Sequence, residues 1–352
     1  MPPPRQVFQA GRCAFPPTGP WGPDVADRLV VLYRDHLPPN RARIESLAET
    51  VYATEEELPL FLPGADALLA WWPLSTAVAA AWPGDPAKAP RWVHVAAAGV
   101  DPFLFPALTG NPEVVLTNAR GVYDRPIAEY VLGLILSLAK DFPGTWEHQR
   151  RREWRPSDSD RIGDRTVLVW GTGSIGRAVA RLLRAVGMRV SGAGRTPRTG
   201  DPDFGVVHGP AALLEALGEA DYVVLAAPLT PATRGMVDAP VLAAMKRGAR
   251  LVNVGRGPLV DEQALVDALA QGRLAGAALD VFTHEPLPVE SPLWEMPGVI
   301  VSPHTAGEVT DWRGDLGELF LDNLIRRSEG RPLRNVVDKA LGYVVDDPAR
   351  PR

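Results

Sequence analysis

Three glycines directly after a short apolar segment constrain the fold of this chain more than any other feature. The segment is RTVLVWGTGSIG (165–176), with glycines at Gly171, Gly173 and Gly176. A predicted strand that leads into this spacing and is followed at once by a helix is typical of a dinucleotide-binding turn. The first glycine permits the tight turn, the second lets the backbone approach a pyrophosphate, and the third lets helix and strand pack closely. The free N–H groups of Ser174 and Ile175 at the helix start would then bind the phosphates.

A glycine-rich turn that binds nothing is the alternative, and the alternation of strands and helices argues against it. Strands are predicted at 28–33, 66–70, 91–95, 165–170, 188–193, 221–227, 250–254, 276–282 and 298–302. Helices are predicted between the later strands at 175–187, 211–218, 239–248 and 261–272. Asp261 is a good N-cap for the last of these helices. The pattern predicts an α/β fold with two doubly wound parallel-sheet domains.

The tail of the chain indicates that one domain is inserted into the other. Residues 315–330 form an amphipathic helical pattern, and the tail is too short to fold alone, so it is expected to pack on the N-terminal part. A flavodoxin-like substrate domain would comprise residues 1–122 and 306–352. A Rossmann-type dinucleotide-binding domain would comprise residues 123–305.

Charge and composition argue against a nucleic-acid partner, a disulfide, a secretory signal and a membrane span. The net charge is −5 over 352 residues, whereas a nucleic-acid surface needs a basic excess. The single Cys13 cannot form an internal disulfide, and the opening MPPPRQVFQAGRCAF lacks the apolar run of a secretory signal. The longest strongly apolar stretch, 130–139, is shorter than the roughly 20 residues that cross a bilayer. We therefore expect a cytoplasmic protein with no nucleic-acid partner, membrane partner or bound metal.

The residue that normally binds the adenosine ribose is missing. An Asp or Glu is expected about 20 residues after the first glycine of the motif, but VSGAGRTPR (190–198) has Gly194, Arg195 and Thr196 there. Arg195 and Arg198 flank the turn and can pair with a 2′-phosphate, to which the Thr196 hydroxyl can add a bond. The stretch therefore favours NADP(H) over NAD(H). The alternative is a plain exposed turn with NAD(H) still bound.

Four further arginines lie on or beside the predicted helix that follows the glycine turn. They are expected to be mostly solvated and are Arg177, Arg181, Arg184 and Arg189.

Three polar residues follow the predicted ends of later strands. They are Arg256 in LVNVGRGPLVDEQAL, Glu285 in GAALDVFTHEPLP and His304 in VIVSPHTAGE. Singly, each has an ordinary interpretation: a surface ion pair, a turn residue and a loop histidine. Together they supply what hydride transfer to a 2-oxo acid needs, because an imidazole can protonate the carbonyl oxygen, a carboxylate can hold the imidazole, and an arginine can bind the anionic substrate.

The chain resembles the D-isomer-specific 2-hydroxyacid dehydrogenases over nearly its whole length. The matching segments are AAAGVD (96–101), LTNARGVYDRPIAEYVLGLIL (116–136), VWGTGSIGRAVARLLRAVGMRV (169–190), APLTPATRGMV (227–237), MKRGARLVNVGRGPLVDEQAL (245–265), ALDVFTHEPLP (278–288) and SPHTAGE (302–308). The resemblance implies that His304 is the acid/base, Glu285 its partner and Arg256 the anchor of the substrate. It also implies that backbone N–H groups around Ala98 and Gly99 hold the substrate carboxylate.

The resemblance adds further positions to the cofactor site. They are Pro228, Thr233, Val254, Gly255, Asp280, Ala306 and Gly307. Of these, Asp280 would contact the nicotinamide carboxamide. The family is usually dimeric through the helix that contains residues 127–139, so a homodimer is expected.

The missing ribose acid resembles the NADPH-preferring glyoxylate/hydroxypyruvate reductases of the family. It implies reduction of a small 2-oxo acid to the D-2-hydroxy acid. Three alternatives stay open: an NAD-dependent enzyme for a bulkier 2-oxo acid, phosphite oxidation, and a non-catalytic scaffold that senses the dinucleotide. Formate enzymes on this scaffold carry a Gln in the role of Glu285, so Glu285 argues against formate.

Overall fold

The computed structural model describes residues 28–345. The chain divides into two compact units, here called the terminal unit, which runs up to Ala119 and resumes at Asp311, and the central unit, Arg120–Thr310. The predicted boundaries at 122/123 and 305/306 lie a few residues inside the central unit. What each unit binds stays a prediction. The expectations for Cys13 and for the N-terminal segment lie outside the described residues.

A parallel sheet with the strand order β2-β1-β3-β4-β5 forms the terminal unit. Its strands are β1 (Arg28–Leu32), β2 (Glu49–Ala53), β3 (Ala67–Ala70), β4 (Trp92–Val95) and β5 (Val115–Asn118). Short helices connect them: α1 (Arg41–Glu45), α2 (Leu58–Phe61), α3 (Ala77–Ala81) and α4 (Pro106–Thr109). This strand order is that of flavodoxin-like folds, and it confirms the predicted doubly wound architecture.

Two strands of this sheet were not predicted, for different physical reasons. Strand β2 lies at the sheet edge with only Ala53 fully buried, so its apolar signal is weak. Strand β5 ends on Thr117 and Asn118, which read as turn residues. Both are buried because they are hydrogen-bonded: the Thr117 hydroxyl accepts from Trp92 Nε1 at 2.8 Å, and Asn118 Nδ2 donates to the Ala98 carbonyl at 2.6 Å.

A larger sheet with the order β13-β12-β11-β10-β6-β7-β9-β8 forms the central unit. Its strands are β6 (Thr166–Trp170), β7 (Arg189–Ala193), β8 (Arg198–Asp201), β9 (Gly205–His208), β10 (Tyr222–Leu225), β11 (Arg250–Asn253), β12 (Gly276–Leu279) and β13 (Val299–Val301). Its helices are α5 (Asp124–Lys140), α6 (Phe142–Arg151), α7 (Ser174–Ala185), α8 (Leu213–Glu219), α9 (Ala239–Ala244) and α10 (Glu262–Ala270).

The sequence predicted six of these eight strands and missed the hairpin of β8 and β9. Each strand of the hairpin has four residues, and β8 is polar, with the sequence RTGD. Such short strands carry too few apolar residues for a periodic signal. Strand β9 pairs parallel with β7, and β8 pairs antiparallel with β9. The predicted N-cap is confirmed, since Asp261 accepts a hydrogen bond from the Ala264 N–H at 3.1 Å.

The strand order places a switch point between β6 and β10. From β6 the chain builds the sheet outward through β7 and β9, then returns to add β10 on the other side of β6. Ligands of open α/β sheets bind at the carboxyl ends of the strands at such a point. The glycine turn begins there, directly after Trp170.

Helix α5 contains the apolar stretch 130–139, which the sequence predicted to be a buried helix. Val131 and Ile135 are fully buried and belong to the same core cluster as Val169 of β6. Within residues 28–345, no helix is both long and apolar enough to cross a membrane.

The chain returns to the terminal unit with α11 (Trp312–Ser328), the predicted amphipathic helix. Its buried face includes Leu316, Phe320 and Leu324. Phe320 stacks on Trp92 of β4, with ring centroids 5.2 Å apart and planes inclined by 12°. The tail therefore packs on the N-terminal part of its own unit, as expected.

A fully buried histidine lies under α11. His94 of β4 is 0% exposed, and its Nδ1 lies 2.8 Å from the Thr117 hydroxyl. Its Nε2 has no hydrogen-bond partner among the described residues. Burial lowers the pKa of His94 to about 3, because the charged ring would lose its water without gaining an acceptor for the Nε2 proton.

This buried ring predicts a loss of stability in acid. Unfolding restores an ordinary histidine pKa near 6.5, so below that pH the unfolded chain binds a proton that the folded chain binds only near pH 3. The free energy of unfolding should fall by about 1.5 kcal/mol between pH 6.5 and pH 5 from this residue alone. Urea unfolding at both pH values measures it. The variant His94→Gln should show a smaller fall, whereas His36→Gln, at an exposed position, should behave like the unmodified protein. An equal fall in all three proteins would contradict the prediction.

Candidate active site

The glycine turn after β6 has the shape that a dinucleotide needs. Gly171 has a φ of 123°, and a Cβ there would lie 2.4 Å from the Ala226 carbonyl carbon. A Cβ at Gly176 would lie 1.9 Å from the Gly171 carbonyl oxygen, so helix and strand approach each other only without a side chain. A Cβ at Gly173, the N-cap of α7, would meet no described atom within 4 Å. The turn is closed on its protein side and open before the helix N-terminus. Binding of a pyrophosphate there stays a prediction.

Asp124, which sequence reasoning missed, lies beside this helix N-terminus. Its carboxylate accepts a hydrogen bond from the Ser174 side chain, and its Oδ1 is buried without a hydrogen-bond partner in the described part of the chain. Burial raises the pKa of this carboxyl, and the bonds from Ser174 and Gly121 and the charges of Arg120 and Arg181 offset the rise only in part. No spacing in the sequence links Asp124 to Ser174, since they lie on different helices.

The turn after β7 carries Gly194–Thr196 in place of the ribose-binding acid. A Cβ at Gly194 would lie 3.2 Å from Thr172 Oγ1, so a side chain there would press on the glycine turn. Arg198 is the first residue of β8 rather than part of the turn, and its Nε donates to Asp201 Oδ2 at 2.7 Å. The cofactor contacts of Arg195, Thr196 and Arg198 stay predictions.

The expectation that the helix arginines are solvated is wrong for Arg177. Its side chain is 15% exposed, and its Nη1 donates to Asp201 Oδ1 at 3.1 Å and to Asp203 Oδ2 at 2.7 Å. The two aspartates lie on and after β8, the strand that the sequence did not predict. The partners of Arg177 were therefore not visible from the sequence.

The loop after β11 holds Arg256 in a fixed shape. The Asn253 side chain, which is buried, accepts from the Gly255 N–H at 3.1 Å and donates to the Arg256 carbonyl at 3.1 Å. A Cβ at Gly257 would lie 1.9 Å from the Phe282 carbonyl carbon. The absence of a side chain at Gly257 therefore lets the Arg256 loop touch the segment that leads to Glu285. Sequence reasoning missed the role of Asn253.

The structure brings His304 and Glu285 into direct contact. His304 Nδ1 lies 2.8 Å from Glu285 Oε2, and Oε1 accepts from the Phe282 N–H at 2.9 Å. Burial raises the pKa of Glu285, but the bonds from His304 and Phe282 and the positive charge of Arg256 outweigh it and hold this pKa below its usual value. With Nδ1 held by Glu285, Nε2 is the ring nitrogen left to donate a proton.

Asp280 organises the loop that carries His304. Its backbone carbonyl accepts from the His304 N–H at 2.8 Å. Its buried carboxylate accepts from the Ser302 hydroxyl at 2.7 Å and from the N–H groups of Thr305 and Ala306 at 3.0 and 2.9 Å. These bonds hold His304 at a φ of 56°, a left-handed conformation that is uncommon for a residue with a side chain. Contact of Asp280 with a nicotinamide carboxamide stays a prediction.

Comparison with known proteins identifies the family of this chain. The sequence model named "D-isomer specific 2-hydroxyacid dehydrogenase, NAD binding domain" matches residues 132–306. Glyoxylate/hydroxypyruvate reductase B of Pectobacterium carotovorum subsp. carotovorum (strain PC1) is 36% identical over 247 residues, which cover 68% of this chain and 76% of that protein. The chain belongs to the D-isomer specific 2-hydroxyacid dehydrogenase family.

Solved structures of dehydrogenases in this family have the same architecture. An NADPH-dependent glyoxylate/hydroxypyruvate reductase from Sinorhizobium meliloti, solved with NADP and sulfate, is 30% identical, with a TM-score of 0.76 over 90% of this chain and 100% of that chain. A family member from Xanthobacter autotrophicus Py2, solved with NADPH and MES, is 32% identical, with a TM-score of 0.75 over the same shares. The chain is accordingly an NAD(P)-dependent oxidoreductase with a Rossmann-type domain.

The other positions implied by the dehydrogenase family lie in ordered loops. Thr233 Oγ1 donates to the Pro228 carbonyl at 2.7 Å, so these two residues form one turn after β10. Val254 follows β11 directly, and a Cβ at Gly255 would lie 3.1 Å from the Ala227 carbonyl oxygen. Ala306 is buried. The binding roles of these residues stay predictions.

Of the three remaining implied positions, Gly307 borders close packing, and Ala98 and Gly99 lie in the terminal unit. A Cβ at Gly307 would lie 2.5 Å from the Tyr123 ring. In the terminal unit, Ala98 and Gly99 are half-buried in the loop after β4, which the Asn118 side chain holds through the Ala98 carbonyl. Their contact with substrate stays a prediction.

Proposed function

We propose that this dehydrogenase reduces a small 2-oxo acid of the glyoxylate/hydroxypyruvate type to the D-2-hydroxy acid, with NADPH as preferred hydride donor. The observation that carries the proposal is the 2.8 Å pair of His304 and Glu285, with the charge of Arg256 acting on the same carboxylate. A proton donor, its orienting carboxylate and a permanent cation are the groups that reduction of an anionic carbonyl compound needs.

The residues divide the chemistry between them. Bound NADPH would supply the hydride to the carbonyl carbon. His304 would donate a proton from Nε2 to the carbonyl oxygen, while Glu285 holds Nδ1 and stabilises the positive charge of the ring until the proton leaves. Arg256 would bind the substrate carboxylate and polarise the carbonyl. That backbone N–H groups around Ala98 and Gly99 bind a substrate carboxylate is also part of the proposal.

Several observations support the cofactor part of the proposal. The turn at Gly194–Thr196 carries no acid to repel a 2′-phosphate, and Arg195 and Arg198 can pair with one. The similar protein from Sinorhizobium meliloti is described as NADPH-dependent. We assign the dinucleotide to the central unit. A homodimer and a cytoplasmic location also belong to the proposal.

A steady-state screen tests the proposed function. The purified protein is assayed with glyoxylate, hydroxypyruvate, pyruvate, phenylpyruvate and a branched 2-oxo acid, each with NADPH and NADH. The proposal expects the highest kcat/KM with glyoxylate or hydroxypyruvate and NADPH. A higher value with phenylpyruvate and NADH would favour the bulkier-substrate alternative. Phosphite is added as a donor with NADP⁺ and with NAD⁺. Tight NADPH binding without any turnover would favour the sensing scaffold.

Replacement of Arg195 is expected to affect the two cofactors unequally. Arg195→Ala should raise the KM for NADPH about tenfold or more and leave the KM for NADH nearly unchanged, because a hydrogen bond between charged groups contributes about 1.5–3 kcal/mol. Steady-state kinetics with both cofactors at saturating substrate measure the effect. The control is Arg189→Ala at the other end of β7, where Nε donates to the Asp164 carbonyl. Equal changes with both cofactors would contradict a 2′-phosphate contact.

A further inference from the structure

An ion-pair network joins β8 to α7 directly after the turn that lacks the ribose acid. Asp201 lies at its centre. The two Asp201 oxygens accept from Arg177 Nη1 and Nη2, both at 3.1 Å, and Oδ2 also accepts from Arg198 Nε at 2.7 Å. Oδ1 further accepts from the N–H groups of Asp203 and Phe204 at 3.0 and 3.2 Å. Five hydrogen bonds therefore fix this carboxylate in one orientation.

Within this network, the guanidinium of Arg198 is partly exposed and the carboxylate of Asp201 is buried. The Asp201 side chain is 3% exposed, whereas that of Arg198 is 34% exposed. Burial raises the pKa of Asp201, but the bonds from Arg177 and Arg198 and from the two N–H groups outweigh it and hold this pKa well below its usual range. The carboxylate stays ionised, and an approaching anion meets the guanidinium of Arg198 rather than the carboxylate.

The geometry also directs Arg198 toward the turn. With Nε bound to Asp201, its Nη1 lies 3.4 Å from the Thr196 carbonyl oxygen, within the turn itself. The guanidinium is planar, so fixing Nε fixes the plane in which both Nη groups lie. A lysine or an unanchored arginine would lose this orientation.

We propose that Asp201 is a positioning residue for the cofactor's 2′-phosphate: it holds Arg198 Nε and thereby presents the Nη edge of Arg198 at the Gly194–Thr196 turn. The turn itself has no carboxylate. The carboxylate of Asp201, on the next strand, orients the cation that binds the extra phosphate. This inference rests on the proposed preference for NADPH.

The test compares two fragments that differ by one phosphate. Dissociation constants are measured by calorimetry on the full chain with adenosine 2′,5′-bisphosphate and with AMP. Their ratio reports recognition of the 2′-phosphate and needs no catalysis. A ratio near one in the unmodified protein would overturn the proposed cofactor preference. A clear preference for the bisphosphate keeps that proposal and allows the variants to test Asp201 separately.

Asp201→Asn removes the charge that anchors Arg198 and retains an acceptor for the N–H groups of Asp203 and Phe204. The preference for the bisphosphate should fall about tenfold, with AMP affinity unchanged. The matched control is Asp203→Asn, because Asp203 pairs with Arg177 and Arg181 but not with Arg198. The control should keep the preference. An equal fall in both variants would overturn positioning of Arg198 in favour of a general loosening of the ion-pair network, and no fall in Asp201→Asn would overturn it outright.

A second pair keeps the test decisive if Asp201→Asn does not fold, as judged by circular dichroism. Arg198→Gln and Arg181→Gln each remove one positive charge from the network. The first should reduce the preference for the bisphosphate about tenfold, and the second, whose side chain is 52% exposed and pairs with Asp203, should leave it nearly unchanged. Equal preferences in these two variants would overturn the proposal.

Discussion

His304→Gln is expected to lower kcat by about 10²–10⁴-fold while the dissociation constant for NADPH stays within about twofold. Proton transfer by a positioned side chain contributes a factor of this size. Glutamine retains a side chain at a position with a φ of 56°, and the backbone bond from the residue 304 N–H to the Asp280 carbonyl is unaffected, so the loop should persist. Loss of the ring removes the proton donor and leaves Glu285 without its partner.

Stopped-flow binding of NADPH measures the cofactor affinity, and steady-state rates at several pH values measure kcat. His284→Gln is the matched control, because His284 is exposed in the loop that carries Glu285 and has no role in the proposed mechanism. The control should keep the kcat of the unmodified protein. A collapse of NADPH affinity in His304→Gln, or a kcat near normal, would show that His304 is not the proton donor.

Arg256→Ala is expected to lower kcat/KM for the 2-oxo acid by about 10³-fold, with both a higher KM and a lower kcat. The guanidinium would bind the carboxylate in the ground state and stabilise the oxygen that gains charge in the transition state, so both constants depend on it. Its charge also lowers the pKa of Glu285, so that pKa should rise when the charge is removed. The kcat/KM of Arg256→Lys should lie between those of the unmodified protein and Arg256→Ala, because lysine keeps the charge without the planar pair of donors.

The kinetics are measured with varied 2-oxo acid at saturating NADPH. Arg247→Ala, which removes an exposed arginine from the same unit, is the control and should match the unmodified protein. A rise in KM with kcat unchanged would limit Arg256 to substrate binding. Unchanged constants would contradict its assignment as anchor.

Much of the central unit could be predicted because its buried parallel strands are apolar along their length. Strands β10 and β12 have this pattern throughout, β6 has it from Val167 onward, and all three were predicted. The glycine spacing located the switch point beside β6. The hairpin of β8 and β9 could not be predicted in the same way, since it is short and partly polar, and its residues form ion pairs with Arg177 of α7. The same holds for β5, where Thr117 and Asn118 are buried only because Trp92 and Ala98 offer them partners.

In the candidate site, too, some features could be predicted from the sequence and others could not. The sequence alone determined which chemical groups are available: a glycine turn, a turn without a ribose acid, and an arginine, a glutamate and a histidine after successive strands. Local rules suffice for these, because strand ends and turn glycines are encoded within a few residues. Only the tertiary structure decided how the groups are held. Asn253 shapes the Arg256 loop, Asp280 the His304 loop, and Asp124 contacts Ser174 from another helix.

Asp201 shows the difference most clearly. By sequence it is a polar residue past the turn, with nothing to connect it to an arginine on a helix 24 positions earlier. In the folded chain it lies at the end of β8 in contact with Arg177 of α7, where burial makes each of its hydrogen bonds stronger than it would be in water. Such a contact between residues distant in sequence depends on the folded chain, because the two residues come together only after the sheet has formed.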